Sequence, residues 1–350
     1  MKSQIKRTAL CITCILIMNT TFAQWSASGS NIYNNNVGNV GVGTDTKIAT
    51  STNAQNGKII EQKPYVFADT TISRIEKTIS NARTLINNVD FFKIIYLSDG
   101  LKVVGYLSMP KKPGKYPCVI YNRGGNRDFG SLDDDRIIRY LGETASWGYV
   151  VVGSQYRGNM GGEGKEEFGG SEVNDILNLI PFLNNIDKAD TSRIGMYGWS
   201  RGGMMTYLAL TKTNKIKAAI VGSGMADAFM STKNRPGIDS VFAQLVPGYF
   251  QNRDSVLMTR SAVYWADKIC MTTPLLLLTG SADWRVSPEE QLKMVNILYE
   301  LKHPLRFEFF EGGQHSLIEH LDEVNHVTKN FLDAYVRDKK PLPNLEPHGN

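Results

Sequence analysis

Six short runs of mostly apolar residues recur through the chain, at 118–121, 149–154, 193–198, 218–222, 275–279 and 306–310. Leu275-Leu276-Leu277-Leu278 is the extreme case. A strand of this kind presents apolar side chains on both faces, so both must be covered, as in a parallel sheet flanked by helices. Stretches of helical character fall between the runs, near 133–147, 171–186, 201–212, 288–301 and 317–337. This alternation predicts a doubly wound, mostly parallel α/β sheet. Ahead of it, 92–97 and 101–107 flank Asp99-Gly100, a strong hairpin signal. The hairpin brings the expected strand count to eight. One further helix is predicted within 65–90, where Ile72, Ile75, Ile79, Leu85 and Ile86 keep helical spacing.

The N-terminus has a different character. Lys2, Lys6 and Arg7 precede a short apolar run at 9–18, and Thr21-Phe22-Ala23 offers a cleavage site. This order predicts a signal peptide over 1–23 and a mature protein that is periplasmic or extracellular. The apolar run falls short of the roughly 20 residues that span a bilayer, so stable membrane insertion is not expected. Three positive charges of the formal +5 sit in this segment. What remains is too small for a nucleic-acid partner, and no Lys/Arg stripe is present. Two cysteines lie outside 1–23, Cys118 and Cys270, each read as a small buried hydrophobe beside a strand.

Residues 24–64 are rich in Asn, Gly, Ser and Thr, without a sustained period, and are expected to be poorly ordered or loop-rich. Within them, 25–44 resembles one degenerate copy of a β-rich repeat of tail-fibre and bacterial surface proteins; the plainer reading is a solvated linker. The catalytic domain is placed at 65–340, with a helical cap over about 223–270 and a tail at 341–350. The cap segment holds Met225, Phe229, Met230, Phe242, Leu245, Tyr249, Phe250, Tyr264 and Trp265, as core or as pocket wall. No metal-ligand spacing appears and no cofactor is expected. Gly161-Gly162-Glu163-Gly164 lacks a P-loop Lys-Ser sequel.

Gly198-Trp199-Ser200-Arg201-Gly202-Gly203 follows one strand and opens a helix. Glycines two residues either side of a serine leave room for a sharp turn that lifts its hydroxyl above the sheet. The helix N-terminus behind it offers N–H groups and a positive dipole end to developing negative charge. A serine hydroxyl needs a base. Of five histidines, His315 alone stands in a glycine-bearing loop directly after a strand, Glu311-Gly312-Gly313-Gln314-His315. Asp283, just past the 275–279 strand, is the candidate to orient it, giving the chain order Ser, Asp, His. The oxyanion donors are expected from the backbone N–H of Arg201 and from Asn122-Arg123-Gly124-Gly125-Asn126, with Arg123 and Gly124 as the named candidates. Trp199 and Arg285 are candidates for substrate contact.

Together these pieces fit the α/β-hydrolase plan, and from about 91 to 336 the chain resembles the catalytic domain of the prolyl oligopeptidase family of serine peptidases. The resemblance rests on Gly-x-Ser200-x-Gly-Gly, on Gly280-x-x-Asp283-x-Arg285-Val286, on Gly313-x-His315, and on Tyr156-Arg157-Gly158 with Gly161–Gly164 and Phe168-Gly169. It implies hydrolysis of short peptides through an acyl-enzyme. It also implies that Arg285 grips a substrate carbonyl. Three departures stand out: too few residues precede Phe91 for a β-propeller, Arg201 stands where many members have Tyr, and Arg123 where many have Tyr or His. The two arginines suggest a carboxylate-bearing substrate. A carboxylesterase acting on acylated carbohydrate or other small esters would use the same residues. A non-catalytic surface binding module built on 25–44 is the reading of another class, and reaction with a fluorophosphonate separates it from an enzyme.

Overall fold

The computed structural model describes residues 55–349 and the backbone of 25–28 and 31–34. It divides the chain into two units, Met1–Thr46 and Lys47–Asn350. In the first, β1 (Trp25–Ser28) and β2 (Asn31–Asn34) pair antiparallel, with Ser28 opposite Asn31. The expected signal segment 1–23 lies outside the described residues, as do residues 35–54.

The second unit is built on one sheet of nine strands: β3 (Ile59–Pro64), β4 (Val89–Ser98), β5 (Leu101–Pro110), β6 (Tyr116–Asn122), β7 (Val150–Ser154), β8 (Ala189–Trp199), β9 (Ile216–Gly222), β10 (Leu275–Gly280) and β11 (Leu305–Phe310). Their spatial order is β11-β10-β9-β8-β6-β7-β5-β4-β3. From β11 to β7 neighbours run parallel; β7-β5, β5-β4 and β4-β3 are antiparallel. Asp99 and Gly100 both take positive φ, 52° and 81°, and Ser98 faces Leu101 across a two-residue turn.

Alternation explains why the central strands read as continuous apolar runs. Cys118, Ile120, Val150, Val152, Leu275 and Leu277 pack into one core. Their neighbours Val119, Tyr121, Val151, Leu276 and Leu278 pack into a second, on the other face.

The ninth strand is a departure from the expected eight and moves the start of the folded unit ahead of residue 65. Among the described residues β3 pairs only with β4, and it is mostly half-exposed or exposed, so its solvated residues read as a loop in sequence. It carries an ion pair between Glu61 and Lys63 and ends at Pro64. At the opposite edge β11 carries a pair between Arg306 and Glu308. The single helix expected over 65–90 is two, Asp69–Ile75 and Ala82–Asn88, burying Ile72, Ile75 and Leu85. The 171–186 helix is likewise split, into Val173–Leu177 and Leu179–Leu183. Between β9 and β10 the cap forms as Ala228–Asn234, Gly237–Leu245 and Arg253–Thr259. Both cysteines are free; Cys118 is buried, and Cys270 is only half-buried, against expectation.

The loops that follow β6, β8, β10 and β11 hold residues 122–126, Ser200, Asp283 and His315. All four loops leave the carboxyl ends of parallel strands, where open α/β sheets build their sites.

Candidate active site

Ser200 is the only residue between β8 and the helix Arg201–Leu210. Its backbone sits at φ 58° and ψ −123°, a region that costs a side-chain-bearing residue about 1–3 kcal/mol and must be held by its surroundings. The Ser200 N–H donates to Gly222 O at 2.8 Å, and Ser200 O accepts from Gly203 N at 2.9 Å. The flanking glycines are there for space. A Cβ on Gly202 would lie 1.9 Å from Asn122 O, and one on Gly198 would lie 2.1 Å from Gly202 O.

Asp283 and His315 are joined directly. His315 Nδ1 lies 2.8 Å from Asp283 Oδ2, and the aspartate side chain is fully buried. The other carboxylate oxygen accepts from the backbone N–H groups of Arg285, at 2.8 Å, and Val286, at 3.0 Å. A carboxylate only accepts, so the imidazole is the donor through Nδ1, and in the neutral ring Nε2 then carries the lone pair. Trp199 ties the end of β8 to this loop: its indole Nε1 donates to His315 O at 2.9 Å. Ser200, His315 and Trp199 line one cleft with a volume of about 200 Å³. Among the described residues the Ser200 hydroxyl makes no hydrogen bond, which leaves it free to turn; the nucleophile–base contact is often looser in free enzymes than in complexes.

Gly124 lies against Ser200, since a Cβ built there would fall 3.2 Å from Ser200 Cβ. Arg201 opens its helix, where the first N–H groups have no intrahelical acceptor. The two arginine side chains, however, are committed to partners within the protein. Arg123 is 1% exposed. Its guanidinium donates to the carbonyls of Gln155, Gly124 and Arg127 and lies 5.0 Å from the Tyr156 ring. Burial, with Arg201 nearby, pushes it down to about 10, so it stays charged at neutral pH. Arg201 pairs with Glu166 and Glu172, donates to Gly125 O at 2.9 Å, and is flanked by Tyr156 and Phe168. Burial raises Glu172, but Arg201 and the N–H groups of Gly169, Glu172 and Glu167 outweigh it, so this carboxyl stays below its ordinary value. The carboxylate-binding part suggested by sequence for Arg123 and Arg201 is therefore not available to their side chains.

Apolar walls of the cleft come from Phe129, Phe168, Met225, Ile238, Val241 and Val286. Of the cap residues singled out by sequence, Met225 alone lines it. Phe242 and Tyr249 stack on each other inside the core, at 5.6 Å between rings. Phe250 and Tyr264 are exposed. Sequence reasoning also passed over Arg235, which lines the cleft with Arg285. The Arg235 and Arg285 guanidinium carbons lie 5.5 and 4.7 Å from the Trp284 ring centre. Burial, and then Arg285, lowers Arg235 from its ordinary value. A lone arginine before Pro236-Gly237 gives no sequence signal that it faces a site.

The model of the prolyl oligopeptidase family matches residues 138–338, more than half of the chain. An uncharacterized peptidase of Bacillus subtilis, YtmA, is 30% identical over 229 residues, covering 65% of this chain and 87% of its own length. Human dipeptidyl peptidase 8 is 27% identical over 234 residues, 62% of this chain, but the match spans only 25% of that longer protein. Among solved structures, the acylaminoacyl peptidase of Pyrococcus horikoshii superposes with a TM-score of 0.63 at 23% identity, over 76% of this chain and 45% of its own, a likeness of fold. With the α/β-hydrolase sheet and this match in family and relatives, the chain belongs to the prolyl oligopeptidase family and is a serine-type peptidase.

Proposed function

We propose that the enzyme cleaves short peptides through an acyl-enzyme on Ser200, with His315 as general base and acid and Asp283 as its orienting partner. The observation that carries this reading is the 2.8 Å contact between His315 Nδ1 and Asp283 Oδ2, beside a serine held at positive φ on the same cleft. In the first half-reaction Ser200 Oγ attacks the scissile carbonyl and His315 Nε2 takes the hydroxyl proton. The developing oxyanion falls to the backbone N–H of Arg201 and to N–H groups of the 122–126 loop, with Gly124 beside it. The C–N bond breaks as His315 returns the proton to the leaving amine. Water then attacks the ester, losing its proton to His315, and the acid is released as Ser200 regains its hydrogen. Asp283 keeps the imidazole in the productive tautomer and stabilises its cation without taking the proton. Trp199 and Arg285, both on the cleft wall, contact substrate.

Matched amide and ester substrates of one acyl group, run on the native enzyme and on Ser200→Ala, test this reading. The expected result is turnover of the peptide bond, with loss of activity and of fluorophosphonate labelling in the variant. Turnover of esters alone would make the enzyme an esterase; an unlabelled Ser200 would end the catalytic reading.

The site of action proposed for the enzyme is outside the cytoplasm, on the strength of Lys2, Lys6, Arg7 and the apolar run that follows. N-terminal sequencing of protein recovered outside the cytoplasm is expected to begin at Gln24; an intact Met1 in the cytoplasmic fraction would overturn it.

A further inference from the structure

Among the described residues five arginines line the cleft, and three are committed within the protein: Arg123 to backbone carbonyls, Arg201 to Glu166 and Glu172, Arg136 to Asp133. The other two are not. Among the described residues, neither the Arg235 nor the Arg285 side chain makes a salt bridge or a hydrogen bond. Their charges meet aromatic faces instead: both lie over Trp284, and Arg285 is also 5.6 Å from the Phe129 ring centre. Trp284 is 66% exposed, so it is not a core residue by packing. Its exposed ring is a flat face over which both guanidinium groups lie. Arg235 comes from the end of the cap helix Ala228–Asn234, and Arg285 from the loop that carries Asp283. Two half-buried like charges repel. Placing them together on a cleft costs stability unless an anion joins them.

We propose that Arg235, Trp284 and Arg285 form an anion subsite that selects substrates bearing a carboxylate near the scissile bond. The inference rests on the catalytic reading of Ser200 given above and adds a substrate class to it. The carboxylate can be that of an acidic side chain or the free α-carboxylate of a short peptide. A forked guanidinium matches either, and a planar pair on a fixed ring matches them better than a neutral amide.

Two matched peptide pairs test the subsite: one differs by Glu against Gln beside the cleaved bond, the other by a free C-terminal acid against the carboxamide. The native enzyme is expected to favour the acid member of at least one pair about 10–100-fold in kcat/KM, as a charged hydrogen bond implies. The pair that shows the preference identifies the source of the carboxylate. Added salt is expected to shrink the ratio. Arg235→Gln is expected to bring the ratio close to one, Arg235→Lys to restore part of it, and Arg235→Glu to turn the preference toward a Lys-bearing peptide. Ratios near one in both pairs for the native enzyme, or a ratio untouched by Arg235→Gln, would overturn the subsite while leaving labelling of Ser200 intact. Should no peptide be turned over, calorimetry of the same pairs on Ser200→Ala decides the matter without catalysis. Tighter binding of the acid member, lost on adding Arg235→Gln, supports the subsite; equal affinities refute it.

Discussion

Arg201 donates to Glu172 across 2.7 Å at a point where the two side chains are 1% and 0% exposed. The residue that follows Ser200 thus commits its charge to the 156–172 loop. Glu166 completes the arrangement, and the same guanidinium holds Gly125 O in the 122–126 loop. Removing one partner of a buried ion cluster leaves the others uncompensated, at about 3–5 kcal/mol. Arg201→Met is expected to lose about that much in urea unfolding. Its residual activity should show a fall in kcat larger than any rise in KM, because the loop facing the oxyanion is released. A variant as stable as the native protein would mean the cluster contributes nothing.

Asp283 receives three donors: the imidazole and two backbone N–H groups. Asp283→Asn keeps the shape but offers the imidazole a donor in place of an acceptor. In serine proteases that swap lowers kcat by about 10⁴, and a similar fall is expected here, with fluorophosphonate labelling slowed in parallel. Labelling at the native rate would remove Asp283 from the mechanism.

Gly202 and Gly237 make a paired test of the elbow. A methyl on Gly202 meets Asn122 O at 1.9 Å, whereas one on Gly237 meets nothing within 4 Å. Gly202→Ala is expected to cost more than about 3 kcal/mol, on the scale of severe overpacking, or to yield no soluble protein. Gly237→Ala, at a helix start, should be neutral or stabilising by about 0.4–1 kcal/mol. Thermal melts of the two variants check the contrast, and equal melts would contradict the crowding at the elbow.

Glu290 gives the fold a pH dependence. Its carboxylate accepts from the N–H groups of Ala226 and Asp227 and from Ser231 Oγ, tying the start of the cap to the helix Pro288–Glu300. Burial raises it from 4.5 to about 7, against the pull of those hydrogen bonds. Its folded value lies above its unfolded one, so its contribution to stability is full below pH 4.5 and is lost as pH climbs through 7. The loss is on the order of 3 kcal/mol, at about 1.4 kcal/mol per unit. Native protein is expected to melt lower at pH 8 than at pH 5, and Glu290→Gln to flatten that slope. An unchanged slope in the variant would assign the pH dependence elsewhere.

Much of this was legible in sequence because the physics leaves few options. Leu275 to Leu278 have no solvent-facing side, so a buried strand was the economical reading. The tight turn at Ser200 was legible through glycines that crowding at Asn122 and Gly202 demands. β3 escaped because an edge strand has solvated residues like those of a loop. That the charges of Arg123 and Arg201 are committed within the protein is not legible in sequence because their partners are remote in the chain: Glu166 lies 35 residues before Arg201, and Gln155 lies 32 after Arg123. Arg235 escaped for the converse reason, since an unpaired cation and a solvated one look alike until the fold shows what surrounds them.

The two opposite-charge pairs on the outermost strands, Glu61 with Lys63 and Arg306 with Glu308, bear on how the molecules behave when concentrated. A rim strand leaves backbone donors and acceptors ready to zip onto a neighbouring copy, and charges there discourage it. Docking either rim against another molecule would dehydrate a cation and an anion at once, and on β3 would also meet a proline that has no N–H to offer. Both edge strands therefore carry features that oppose fibril-like growth by strand addition.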